Sequence, residues 1–158
     1  MEPESGFVRI GNAKLYYELA GRGQTLVLIH AGVADSRQWN EDFGRLAGDF
    51  RVLRYDRRGF GQSVPVEGEF SHLADLVALL DQLGLEEPLV LIGSSMGGTL
   101  AMDFALDHPS RAKALVMVGS GPSGLELDVV EHPKEAEAEK AYEARDLDLL
   151  AELEVQIF

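Results

Sequence analysis

An α/β fold with a mostly parallel sheet of about six strands is predicted by three observations. Short, wholly apolar runs such as Thr25–Ile29 and Pro88–Ile92 alternate with segments of helical period. Runs apolar on both faces belong to strands covered by helices on both sides. The chain has 158 residues, 46% hydrophobic and 26% charged, enough for one domain with a real core and too short for two ordinary ones.

The elements follow in order. Phe7–Ile10 and Lys14–Glu18, separated by Gly11-Asn12, predict a two-stranded hairpin. Thr25–Ile29 is a central strand. Ser36 is read as the cap of a helix to about Gly48, with Trp39, Phe43, Leu46 and Ala47 on one face. Arg51–Tyr55 is the next strand, followed by a turn-rich stretch to Gly68. Ser71 caps a helix striped by Leu73, Leu76, Val77, Leu80 and Leu83, with Gly84 as its stop. After Pro88–Ile92, Gly93 to Gly98 make a tight junction into a helix carrying Leu100, Ala101, Phe104 and Ala105, ended by Pro109. Ala114–Val118 is the last strand visible, and Gly119–Gly124 is loop.

From residue 126 the composition changes. Residues 126–154 hold 11 acidic and 3 basic residues. Their Glu, Ala, Lys and Leu content favours helix. Ala138, Ala141 and Tyr142 share a stripe, and Asp146 caps a second helix with Leu149, Leu150 and Leu153 inside. The expected division is therefore a core over 1–125 and a helical excursion over 126–158.

Net charge of −13 repels phosphate backbones and anionic lipid surfaces, which argues against nucleic-acid or membrane partners. No apolar stretch approaches the ~18 residues of a membrane span, and the acidic start is unlike a signal peptide. The absence of cysteine excludes disulfides and thiolate metal sites and fits a cytoplasmic protein.

The chemistry-bearing motif is Gly93-Ser94-Ser95-Met96-Gly97, of the form G-x-S-x-G. By itself it would arise about once in ten similar sequences. Here it follows an apolar strand and opens a helix, which is the setting the motif requires. A serine at the apex of such a turn is strained and lifted clear of the sheet. Gly93 and Gly97 relieve crowding, and the helix start aims free N–H groups at the same place. Ser95 is the candidate nucleophile. An oxyanion hole needs two converging N–H donors. Met96, next to the nucleophile, is one candidate, and Gly32, in the loop after Thr25–Ile29, is the other. His30, at the end of a buried strand, reads as structural, and Asp56 reads as a loop-forming residue. Val64 stands where a dinucleotide fingerprint needs glycine, and Gly93–Thr99 lacks the lysine of a phosphate-binding loop.

His30-Ala31-Gly32, Tyr55-Asp56-Arg57-Arg58-Gly59-Phe60-Gly61-Gln62-Ser63, Gly93–Gly98 and His108-Pro109 together resemble the N-terminal part of α/β-hydrolase-fold proteins, over about residues 7–121. The resemblance implies an incomplete α/β-hydrolase fold and a cofactor-free serine hydrolase with a small-molecule substrate. It also implies a helical lid after the sixth strand, which the acidic segment matches. Ala31 departs from the family, where glycine is commoner.

The fold orders its triad as serine, acid, then histidine. Only His108 and His132 follow Ser95. His108 ends the helix that Ser95 begins, about 20 Å away by helical rise. His132 opens the acidic segment, and no acid stands out. Ala114–Val118 would be an unguarded apolar edge, and the chain stops on the apolar Val155–Phe158. The expectation is a truncated hydrolase, nearly inactive alone, with a missing C-terminal part or self-association at the sheet edge. Cleavage of carboxylic esters or lactones through an acyl-enzyme on Ser95 is the leading activity. The alternatives are a C–C bond hydrolase, a cofactor-free haloperoxidase-like member, a non-catalytic binding module and an assembly protein.

Overall fold

The structure is a computed structural model that describes residues 3–63, 68–124 and 132–157. The expected boundary at 125/126, Val64 and the terminal Phe158 lie outside the described residues. The chain separates into two compact units, Met1–Leu125 and Glu126–Phe158.

The first unit is built on β1 (Glu4–Ile10), β2 (Ala13–Ala20), β3 (Thr25–Ile29), β4 (Arg51–Tyr55), β5 (Leu89–Ser94) and β6 (Ala112–Val118). They form one sheet in the order β1-β2-β4-β3-β5-β6. The β1/β2 and β2/β4 pairs are antiparallel, and β4/β3, β3/β5 and β5/β6 are parallel. Helices α1 (Asn40–Leu46), α2 (His72–Gln82) and α3 (Met96–Asp107) complete the unit.

The alternation of side chains along β3 shows why this strand is apolar throughout. Val27 and Ile29 join Leu53, Leu76, Leu79, Leu80, Leu91, Ala101 and Phe104 in the core under α2 and α3. Leu26 and Leu28 point the other way and pack with Val52 and Phe43 of α1. Each fully buried leucine contributes about 1.5–3 kcal/mol of transfer free energy.

Two local expectations are corrected and one is met. Ser36 is not a helix cap, and no single helix runs from it to Gly48: Asp35 caps a 3-10 turn, Ser36–Trp39, that precedes α1, its carboxylate accepting the Arg37 N–H at 2.9 Å. Ser36 is buried instead, its own N–H donated to Asp56 Oδ1 at 2.8 Å. In α2, Leu79 belongs to the buried set although it was outside the stripe read from the sequence. The Ser71 cap is present, its Oγ accepting the Ala74 N–H at 3.3 Å.

β6 pairs only with β5 among the described residues, so it forms one edge of the sheet. Leu115, Val116, Met117 and Val118 are all exposed on it.

The second unit contains α4 (Glu135–Glu143) and α5 (Leu147–Ile157). Ala138, Ala141 and Leu153 are buried between them, with Leu150 and Ile157 alongside. Asp146 caps α5 by accepting the Leu149 N–H at 3.1 Å. Tyr142 and Leu149, expected inside, are exposed, because small alanines let α5 lie close and leave those positions on the flanks. No helix among the described residues is long and apolar enough to cross a membrane.

Candidate active site

Ser95 stands between β5 and α3 with φ 50° and ψ −122°, a conformation that costs on the order of 1–3 kcal/mol. Local packing enforces it. A Cβ on Gly93 would overlap the Gly97 carbonyl, and a Cβ on Gly97 would overlap the Ile29 and His30 carbonyls. Only glycine permits β5, the turn and β3 to approach this closely. The Ser95 N–H donates to the Val118 carbonyl at 2.8 Å, which ties the turn to the end of β6. The Ser95 carbonyl accepts the Gly98 and Thr99 N–H groups at 2.8 and 3.1 Å, which starts α3. Ser95 is exposed, as is Met96 beside it.

The structure brings Gly32 to the same place. A Cβ there would overlap Met96 Sδ, so this loop and the start of α3 touch through the space that the glycine leaves empty. Neither the Gly32 N–H nor the Met96 N–H has a protein acceptor among the described residues. Two main-chain N–H groups without a protein acceptor among the described residues thus lie on the two segments that meet at the Met96 side chain, next to the exposed Ser95. A shallow groove of about 640 Å³ opens beside Gly32, bounded by Val33, Gln38, Phe60 and Gly61.

The loop is held from beneath. Ala31, in place of the commoner glycine, fits without disturbance: it is buried, and its N–H donates to Gln38 Oε1 at 2.9 Å. Its carbonyl accepts His30 Nδ1–H at 2.7 Å and Arg57 Nη2–H at 3.1 Å. His30 is fully buried, and its Nε2 accepts the Arg57 main-chain N–H at 3.0 Å. That bond identifies Nε2 as the bare nitrogen and places the proton on Nδ1. Burial pushes the His30 pKa below the usual histidine value. With both nitrogens engaged, His30 is a structural imidazole. Gln38 and Arg57 were not singled out from the sequence. The signal available was the adjacent pair Arg57-Arg58, two cations beside one another in a stretch otherwise read as a turn.

Asp56 behaves as a loop-forming residue. Its Oδ1 and Oδ2 accept the Ser36 and Gln62 N–H groups at 2.8 and 2.6 Å, and its carbonyl accepts Ser63 Oγ–H at 2.6 Å. Gly61 (φ 50°) packs onto its carboxylate, where a Cβ would overlap.

Among the described residues of the first unit, no imidazole hydrogen-bonds Ser95 Oγ. His108 caps the far end of α3 and stacks on Phe104 with ring centroids 5.2 Å apart. His72 opens α2 and packs against Phe60 and Phe70. In the second unit His132 Nδ1 accepts the Lys134 N–H at 3.2 Å. Among the described residues no three or more His, Cys, Asp or Glu side chains are grouped to hold a metal ion.

The chain is similar to known hydrolases in sequence and in fold. The chain is 38% identical over 134 residues to the 2-hydroxy-6-oxononadienedioate/2-hydroxy-6-oxononatrienedioate hydrolase of Paraburkholderia xenovorans (strain LB400), matching 76% of this chain and 46% of that protein. It is 34% identical over 110 residues to the pimeloyl-[acyl-carrier protein] methyl ester esterase of Vibrio atlanticus (strain LGP32), matching 68% of this chain and 41% of that protein. The solved structure of Est816, described as an N-acyl homoserine lactone degrading enzyme, superposes with a TM-score of 0.75 at 28% identity, covering 91% of this chain and 54% of Est816. The chain thus spans less than half the length of the two curated relatives. The family model for the alpha/beta hydrolase fold matches residues 24–152. A strained serine on a strand-to-helix turn, set in a six-stranded sheet of this order, makes the same assignment from the coordinates: the chain belongs to the α/β hydrolase fold family.

Proposed function

We propose that the chain carries the nucleophile and oxyanion-binding part of a serine hydrolase that cleaves carboxylic esters or lactones. The carrying observation is the exposed Ser95, held at φ 50° beside the unengaged Gly32 and Met96 N–H groups. Ser95 Oγ attacks the acyl carbon, and the carbonyl electron pair moves to oxygen. The Gly32 and Met96 N–H groups hold that charge. Collapse expels the alcohol and leaves the acyl group on Ser95. The hydroxyl proton needs an acceptor: among the described residues of the first unit His30 is committed to other bonds, His108 lies at the far end of α3, and His72 is packed against Phe60 and Phe70 without a hydrogen bond to Ser95. Rapid turnover on this reading needs a histidine and an acid that the described residues of the first unit do not bring to Ser95, and without them the chain is slow.

A second reading, hydrolysis of a C–C bond, is favoured by the 38% identity to the Paraburkholderia enzyme. The same serine and donors serve both, because both reactions develop an oxyanion.

Substrate classes offered side by side test the proposal. With p-nitrophenyl acetate, the chain should release about one equivalent of p-nitrophenol slowly and then stall, because deacylation also needs a base. Ser95→Ala should abolish that release. Fast steady-state turnover would contradict the missing base. Release that is indifferent to Ser95 would contradict the nucleophile. Cleavage of a 2-hydroxy-6-oxodienoate in preference to esters would select the second reading.

A further inference from the structure

Arg57 is the feature that the fold does not explain. Its side chain is 1% exposed, yet no carboxylate pairs with it among the described residues. Asp75 is taken by Arg58 in a bidentate pair at 2.6 and 2.7 Å, and Asp56 is spent on main-chain N–H groups. Its guanidinium lies over the Phe60 ring, 4.6 Å from the centroid, and Nε has no partner. Burying a cation without a counter-charge is costly. An apolar side chain of similar length would fill the space at lower cost. Among the described residues, the one hydrogen bond that the guanidinium makes is to the Ala31 carbonyl.

That carbonyl shares a peptide unit with the Gly32 N–H. In a trans peptide the C=O and N–H point in opposite directions. Drawing the Ala31 oxygen inward, onto Arg57 and His30, therefore turns the Gly32 hydrogen outward. A charged donor on the oxygen also withdraws electron density through the amide, which makes its N–H a stronger donor. His30 supplies orientation without charge, since its ring is neutral. Arg57 supplies the charge. The Arg57 main chain closes the arrangement by holding His30 Nε2.

We propose that Arg57 is a positioning residue for the oxyanion site: its buried guanidinium, together with His30, clamps the Ala31 carbonyl and so aims and polarises the Gly32 N–H on the other side of the same peptide. The inference rests on the reading of Gly32 as an oxyanion donor. The unpaired buried charge is then explained by its use: it favours negative charge on a substrate oxygen, transmitted through one peptide unit.

The test has a spectroscopic and a kinetic arm. In the isotope-labelled chain, Arg57→Met should move the Ala31 carbonyl ¹³C and Gly32 amide ¹⁵N resonances upfield, more than those of residues outside the loop. Arg57→Lys, which keeps the cation, should give a smaller displacement. A scalar coupling between Arg57 Nη2 and the Ala31 carbonyl carbon of the unaltered chain reads the same bond even if the methionine variant does not fold. In the kinetic arm, the rate of Ser95 acetylation by p-nitrophenyl acetate should fall about tenfold in Arg57→Met per folded molecule, with partial rescue by Arg57→Lys. Unmoved resonances in a folded methionine variant, or no coupling in the unaltered chain, would overturn the clamp. An acetylation rate unchanged by loss of the charge would overturn the polarisation. Failure of the hydrolase reading is separately visible, because Ser95 would then take up no acetyl group in the unaltered chain while the resonances still report on Arg57.

Discussion

Gly32 lies directly against Met96: any side chain on Gly32 would enter the space of the Met96 thioether. The two residues are 64 positions apart, and the fold makes them neighbours on either side of the Ser95 turn. Met96 is 53% exposed and flexible, so it can move aside at little cost. Gly32→Ala should therefore leave the melting temperature within a few degrees but slow Ser95 acetylation about tenfold, through displacement of the donor loop. Met96→Ala in the same chain should restore part of the rate. Additive losses in that double-mutant cycle would show that the contact does not couple the two donors.

The glycines divide sharply by what surrounds them. Gly97→Ala drives a Cβ into the Ile29 and His30 carbonyls, which cannot retreat without breaking β3. Urea unfolding should show a loss of about 3 kcal/mol or more. Gly44 lies within α1 with nothing near its missing Cβ. Gly44→Ala should stabilise by about 0.5–1 kcal/mol. Equal effects at the two sites would contradict the packing described for the turn.

His30 and His72 both have pKa values below the usual histidine range, chiefly because burial penalises the charged ring. In the unfolded chain each titrates near about 6.5. Between that value and the lower folded value the unfolded state binds more protons, so stability should fall as pH drops through about 6.5 and level off below the folded values. Protonating His30 also costs the bond from the Arg57 N–H to Nε2. Unfolding free energies between pH 5 and 8 should show this slope, and His30→Asn should reduce it. Asp35, held at about 2 by its hydrogen bonds from Arg37, contributes no slope in that range. A stability that rises on acidification would contradict the neutral His30.

Arg58 and Asp75 form a bidentate pair in which the side chains are 7% and 6% exposed. Asp75→Ala leaves Arg58 buried beside Phe70 without its partner, at a cost of about 3 kcal/mol by urea titration. Replacing both residues, Arg58→Met with Asp75→Leu, should recover most of that loss. A small effect of the single change would mean that water already reaches the pair.

Much of this fold was legible in the sequence, and the exceptions have definite causes. β3 and β4 were read to the residue: β3 is an unbroken run of buried side chains, and β4 is a short stretch of β-branched, aliphatic and aromatic residues that ends at the loop-forming Asp56. The Ser95 turn was legible because its glycines answer a steric demand that no other residue meets. The 3-10 turn at Ser36–Trp39 was not, because Asp35 and Ser36 are both competent caps, and the choice depends on Asp56 drawing the Ser36 N–H into the core. β6 begins at Ala112, two residues before the apolar run, because pairing with β5 is irregular between Leu89 and Val90. Tyr142 and Leu149 were placed inside by periodicity, but the α4–α5 contact is made through Ala138 and Ala141. Arg57 escaped notice because a buried, unpaired arginine is contrary to every compositional rule, and only the hydrogen bond to Ala31 shows its purpose.

The most direct test of the account is the mass and position of an acyl group on the chain. After incubation with p-nitrophenyl acetate, intact-mass measurement and peptide mapping should find a single acetyl group, on Ser95, absent from Ser95→Ala and slowed by Gly32→Ala. Acetylation spread over surface lysines with Ser95 untouched would contradict the claim that this serine and its flanking amides form the reactive centre.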